Sequence, residues 1–238
     1  MALGAHVPYV AFASRWMLAM KAYAGEELDD KIELFDHKEI FKAAAQDLAL
    51  CRDVPVSGFG ELTLRNGALH GTSASWSDYL ETVEPLFESS LLANAGVSRK
   101  TSKKLADYWF TQKPLVKDTI SSLLHGDFAM SAIFVHGESY EGLIDFGDAM
   151  AGDSLADLAY WRYKEITKSY GYKIYRQVLE PYCAATGISD NSETERIIRF
   201  YMIYWGLKRL KDCPDRALQQ KFSDKLNEVA RILDSSSE

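Results

Sequence analysis

His125-Gly126-Asp127 and Ile144-Asp145-Phe146-Gly147-Asp148 set carboxylates beside glycines within one short stretch of chain. Asp153 adds a fourth acidic group to a segment whose other residues are mostly apolar or small. Phosphoryl transfer asks for such a set: one carboxylate orients the attacking hydroxyl and takes its proton, and others hold Mg²⁺ against nucleotide phosphates. Gly126 and Gly147 suit positions where backbone turns sharply or approaches a ligand closely. Either motif alone is also what an ordinary turn looks like, since aspartate and glycine favour turns for their own reasons. Their order around a strand hairpin separates the two readings.

That hairpin is the first element the carboxylates need. Leu123 and Leu124 lead into the first motif, residues 132–135 read as a strand, and residues 140–146 read as its partner, with a tight loop at 136–139. An aspartate after the first apolar run and another at the end of the last strand then reach the same edge.

Upstream, residues 7–13 and 15–23 read as two apolar strands, with Gly25 in the exit turn. Two strands alone make a marginal ribbon, so they must pack elsewhere or gain partners. Ile40, Phe41, Ala44, Leu48 and Cys51 form one face of a helix over 36–51. Residues 54–60 read as a loop, and Asn66-Gly67 as a hairpin turn within 62–69. Ser75 caps a helix that carries Leu80, Val83, Phe87 and Leu91 and ends at Gly96. A further helix over 101–113 is interrupted by Pro114. Helices follow over 155–164, 172–185, 193–211 and 218–233, and the third is apolar nearly all round, as a central helix is. Residues 235–238 form a tail.

Composition bounds the class. The chain has 238 residues, 47% hydrophobic and 26% charged, which suits one medium-sized folded unit and excludes a disordered chain. Lys plus Arg total 27 against 34 Asp plus Glu, a net charge of -7, which argues against nucleic acid as a partner. Cys51, Cys183 and Cys213 are far apart and form neither a metal cluster nor a disulfide framework. With no apolar run long enough to span a bilayer and no cleavable leader pattern, a soluble cytoplasmic protein is expected.

LLHGDFAMSAIFV at 123–135, followed by YEGLIDFGDAMAGDSLADLAYW at 140–161, resembles the catalytic core of the aminoglycoside phosphotransferase family, and most closely its hygromycin-type members. That family is related to choline kinases and protein kinases. VPYV at 7–10 resembles the entry to the fourth strand of the amino-terminal lobe, and MLAMKAYAGEEL at 17–28 resembles the fifth strand and hinge. The resemblance implies an α+β, protein-kinase-like fold: residues 1–25 as a remnant of the amino-terminal lobe and hinge, and 26–234 as the helical carboxy-terminal lobe. It also implies ATP and Mg²⁺, and transfer to a hydroxyl of an aminoglycoside or similar small polar molecule.

Carried over by position, Asp127 is the catalytic base and His125 supports its loop. Asp145 is the metal ligand, Asp148 and Asp153 brace the loop beyond it, and Asp157 anchors the start of the next helix. Backbone at Met20, Lys21 and Ala22 meets the adenine edge. Two departures set limits. The family places a metal-binding asparagine five residues beyond the base, where this chain has Ala132, preceded by Ser131. Its glycine-rich loop and phosphate-binding lysine precede the VPYV segment, and Lys21 cannot take that lysine's part. The chain alone is therefore expected to be inactive or severely impaired. Three readings stay open: a fragment of a kinase, a pseudokinase that binds a small molecule or partner, and a chain completed by a second polypeptide. The exposed strand edge is a further expected place for self-association.

Overall fold

A computed structural model of the chain describes residues 4–13, 18–28 and 37–233. Residues 15–17 of the second expected strand, residue 36 of the first expected helix, and the tail at 235–238 lie outside them.

The amino-terminal ribbon is β1 (Val10–Ala13) and β2 (Leu18–Met20), antiparallel, with Val10 opposite Met20. Its start is tied down by backbone and by charge. The His6 carbonyl accepts from the Leu143 amide at 2.8 Å, and the His6 amide donates to Asp47 at 2.9 Å. The Tyr140 hydroxyl donates to the same Asp47 carboxylate at 2.7 Å. Val10 and Met20 remain about half exposed.

Next come β3 (Glu26–Glu27) and α1 (Lys38–Cys51), which buries Ile40, Phe41, Ala44 and Leu48 as its periodicity requires. Residues 54–60, expected as a loop, contain β4 (Val56–Ser57) and the start of β5 (Phe59–Arg65). β5 turns at Asn66-Gly67 into β6 (Ala68–Ser73), and both turn residues adopt positive φ. The strand-breaking look of PVSGFG misleads because Gly60 sits under the Tyr79 ring, where a side chain would collide. Its glycine reflects a close approach within a strand.

The helix expected from Ser75 to Gly96 is three pieces. α2 (Trp76–Glu81) is capped as expected, the Ser75 hydroxyl accepting from the Asp78 amide. Pro85 then opens a 3₁₀ turn, Glu84–Glu88, and α3 (Ser90–Asn94) follows. α4 (Arg99–Gln112) gives way to a 3₁₀ turn at Pro114.

β7 (Ser122–Leu124) leads into β8 (Ile133–His136) and β9 (Ser139–Leu143), which form the expected hairpin with Ile133 opposite Leu143; β9 stops short of the expected end at 146, so Asp145 lies beyond the strand, before a 3₁₀ turn. β3 adds to its other edge, giving the order β3-β8-β9. β10 (Met150–Gly152) was not expected; it lies between β5 and β7, in the order β4-β6-β5-β10-β7.

The remaining chain is α5 (Leu155–Glu165), α6 (Gly171–Thr186), α7 (Ser192–Asp212) and α8 (Arg216–Ile232). α7 is the central helix, with every residue of 198–207 buried. A Cβ at Gly206 would lie 2.3 Å from Leu226, so a glycine there lets α8 close against α7. Stacked Trp109 and Phe200, with Trp161 and Trp205, fill the core between α4, α5 and α7. Helices and small sheets are segregated, which makes the fold α+β. No helix among the described residues is long and apolar enough to cross a membrane.

Candidate functional site

β7 delivers the His125-Gly126-Asp127 loop into the interior, and the loop is held from three sides. His125 is wholly buried. Its amide donates to Asp157 Oδ2 at 2.8 Å, and the Gly126 amide donates to Asp157 Oδ1 at 2.9 Å. The His125 ring spans the two motifs. Nε2 lies 2.8 Å from the Ile144 carbonyl, which can only accept, and Nδ1 receives the Asp127 amide at 3.3 Å. The neutral ring with its proton on Nε2 satisfies both. Phe146 packs against that ring, centroids 4.4 Å apart. Gly126 has φ +81°, and a Cβ there would meet the Asp148 carbonyl at 1.9 Å, so the two motif loops are in backbone contact.

Asp157 was expected to anchor the start of α5. It sits in that helix's first turn, but its carboxylate reaches back to brace the base loop. Burial raises its pKa above the usual carboxylate range, and the two amide hydrogen bonds oppose that shift. Asp153 and Asp148, expected to brace one loop, part company. Asp153 Oδ1 accepts from the Leu155 amide at 3.0 Å, and Oδ2 accepts from the Tyr201 hydroxyl at 2.8 Å, so it fixes the start of α5 to α7. Asp148 pairs with Arg209 at 3.0 Å.

Asp145 is held loosely. It is exposed, left-handed at φ 63° and ψ 61°, and its Oδ1 accepts from the Gly147 amide at 3.4 Å. It lies on the wall of a cavity of about 1020 Å³ with Met20, Lys21, Ala22, Val10, Phe134 and Phe146. That wall is mostly apolar, the character of a slot for a flat heterocycle. The Lys21 amide is already donated to the Tyr9 carbonyl at 2.8 Å.

Among the described residues no group of three or more His, Cys, Asp or Glu side chains could hold a metal. A single carboxylate at the mouth of a cavity suits Mg²⁺, which keeps waters and takes phosphate oxygens for the rest of its octahedron. Ala132 is buried, and its carbonyl accepts from the Ile144 amide at 2.9 Å. Ser131, the neighbour that could have offered an oxygen, instead accepts from Lys164 Nζ at 3.2 Å.

Sequence reasoning missed the groups that face Asp127. Arg209 Nη2 donates to Asp127 Oδ1 at 3.0 Å while its Nη1 holds Asp148, so one guanidinium joins both motif loops. It lies over the Tyr160 ring at 4.9 Å. Lys164 Nζ is 3.9 Å from Asp127. Burial raises the Tyr160 hydroxyl's pKa; Arg209 opposes the shift, and Asp127 adds to it. One signal was available. Asp157, Tyr160 and Lys164 fall at i, i+3 and i+7, a polar stripe along a helix that is otherwise largely apolar. Arg209 gives no such signal, standing on α7 far along the chain.

A braced aspartate loop beside a left-handed aspartate and an apolar cleft is an arrangement that suits the kinase-like class of fold. The family model for the phosphotransferase enzyme family, APH, matches residues 11–193, and the chain belongs to that family. Comparison with curated proteins gives no match. Among solved structures, a thermostable mutant of aminoglycoside phosphotransferase APH(4)-Ia in ternary complex with ADP and hygromycin B is similar at a TM-score of 0.72 and 14% identity, covering 100% of this chain and 80% of that one. ADP-bound APH(2'')-Ib is similar at 0.57 and 18% identity, covering 97% and 78%. The gentamicin complex of APH(2'')-IIa gives 0.57 and 16%, covering 95% and 74%. The fold is that of the aminoglycoside phosphotransferases.

Proposed function

We propose that this chain binds Mg²⁺-ATP in the cleft between β2 and the Asp145 loop, and serves phosphoryl transfer to a hydroxyl of an aminoglycoside or similar small polar molecule. The observation that carries this reading is the joint anchoring of the two motif loops through Asp157, His125 and Arg209. Asp145 would hold the metal, which neutralises charge gathering on the transferred group. Adenine would lie between Val10, Met20 and Phe134, with its edge met by backbone at Ala22, since the Lys21 amide is engaged. Asp127, fixed by the His125 ring and Arg209, would accept the proton of the attacking hydroxyl. Its loop is fixed by Asp157, His125 and Arg209 of this chain, which lowers the reorganisation the reaction requires.

Ala132 supports the further reading that turnover by this chain alone is slow, because a methyl group offers no metal ligand. The exposed faces of Val10 and Met20 suit strand addition by a second polypeptide or a second copy, and completion of the cleft is the role such an addition would have. The competing reading is a binding module without catalysis. Calorimetry with Mg²⁺-ATP followed by ATP turnover separates the two. Nucleotide binding that is lost in Asp145→Asn, with turnover lost in Asp127→Asn, is the expected result. A chain that binds no nucleotide would sink the proposal.

A further inference from the structure

α1 buries one charged residue, Asp47, on the face that carries Ala44, Leu48 and Cys51. A carboxylate in that place is costly unless donors meet it. Its Oδ2 gathers three: the His6 amide at 2.9 Å, His6 Nδ1 at 3.1 Å and the Tyr140 hydroxyl at 2.7 Å. Burial and the Asp47 bond push the Tyr140 hydroxyl's pKa well above the ordinary tyrosine value, so it stays a donor. His6 also meets β9, where its carbonyl accepts from the Leu143 amide at 2.8 Å. Gly142 permits that approach, because a Cβ there would run into both the His6 carbonyl and the Tyr23 hydroxyl. Apolar burial adds little, since Val7 is 42% exposed and Tyr9 71%. Polar contacts at His6 therefore decide where this segment lies.

The neighbours of His6 are on the wall of the cleft. Ala5, Val7 and Pro8 line the cavity that holds Asp145, as do Tyr23 and, in the last turn of α1, Leu50 and Cys51. Asp47 lies one turn before Cys51, whose thiol donates to the Asp47 carbonyl at 3.7 Å. One residue thus ties the amino-terminal part of the wall to the helix that supplies another part. We infer that Asp47 is a positioning residue for nucleotide binding, which through His6 fixes the wall at residues 5–8 beside the place proposed for adenine. This rests on the proposed binding of Mg²⁺-ATP in that cleft. Asp47 serves the base end without touching the nucleotide, and Asp145 serves the phosphate end, so the two carboxylates act on separable parts of one ligand.

The test is calorimetry on the full chain with adenosine and with Mg²⁺-ATP, well below the melting temperature, together with hydrogen exchange at the Leu143 amide. Asp47→Ala should weaken adenosine at least about tenfold, and Mg²⁺-ATP by a similar factor. The Leu143 amide should exchange at least about tenfold faster, because its His6 acceptor is no longer held. Asp47→Asn keeps an oxygen for the His6 amide and should stay within about threefold of the parent. His6→Pro removes the amide donor from an exposed residue and leaves the helical core intact, so it carries the Asp47→Ala expectation even where that variant fails to fold. Asp145→Asn should weaken Mg²⁺-ATP far more than adenosine. Adenosine affinity within about twofold of the parent in Asp47→Ala and His6→Pro overturns the inference, and so does unchanged exchange at Leu143. A parent chain that binds neither adenosine nor Mg²⁺-ATP is a failure of the nucleotide reading itself, and the inference falls with it. A parent that binds both, with variants that match it, is a failure of the inference alone.

Discussion

The two aspartates that define the site are held in opposite ways. Asp127 belongs to a loop whose preceding amides both donate to a buried carboxylate, and whose own amide and side chain are engaged by His125 and Arg209. Asp145 is exposed, in a left-handed turn, with one long hydrogen bond to its carboxylate. The group proposed to take a proton is therefore fixed by its neighbours, while the group proposed to hold a metal has room to adjust to it. A rigid base and an adaptable ligand divide the work: proton transfer needs close heavy-atom placement, whereas Mg²⁺ brings its own octahedral demands.

The largest test of this contrast is Asp157→Ala against Asp145→Asn. The first strands two buried amides and is expected to cost about 3–5 kcal/mol of stability, seen as a lower urea midpoint, with turnover lost as well. The second keeps a residue tolerant of the left-handed backbone and should stay within about 0.5 kcal/mol of the parent, while Mg²⁺-nucleotide binding falls. Equal destabilisation by both would break the comparison. Gly126→Ala comes next. The added methyl meets the Asp148 carbonyl from a left-handed residue, and a loss of about 2–4 kcal/mol by thermal melting is expected.

Arg209→Gln should cost less stability, about 1–2 kcal/mol, since Asp127 and Asp148 are partly solvated and can find water. It should lower turnover more than it lowers nucleotide affinity, a split that steady-state kinetics and calorimetry read together. The smallest effect concerns Lys225. Its folded pKa, about 8, lies below the ordinary lysine value of 10.5, so the folded state disfavours its charge. That penalty, which comes from burial, is absent above pH 10.5, grows as pH falls from 10.5 towards 8, and is fully present below 8. Lys225→Met should therefore raise stability by about 1 kcal/mol at pH 7 and by nothing at pH 10.5, measured as the difference between paired melts.

The long helices were legible because burial repeats at their own period. The continuous apolar character of α7 announced a central helix, and Ser75 with Asp78 announced a capped start. The segment after Ser75 was read as one helix because its apolar spacing holds across Pro85, and the proline's cost overrides the pattern. β10 escaped notice because three residues carry no alternation to read, and both of its faces are buried. At the site, the two motifs were visible as local strings. Asp157 was visible only as a helix-start residue, since its bond to the base loop is made across the fold. Lys164 showed as the end of a polar stripe on α5, whereas Arg209 approaches Asp127 from α7, and that long-range charge pairing leaves no local trace.

β10 decides where the molecule can be lengthened. It is paired on both edges, with Met150 between Glu61 and Leu124, and it connects the Asp145 loop to the first turn of α5 by the shortest route. An added residue there would turn its side chains to the wrong faces and shift Asp148 against Arg209. The β5–β6 hairpin is joined to the same sheet, but its tip at Asn66-Gly67 is exposed, and a side chain built on Gly67 would meet nothing within 4 Å. A reporter peptide or affinity tag spliced into that tip should leave the site assembled, while a single residue inserted in β10 should dismantle it.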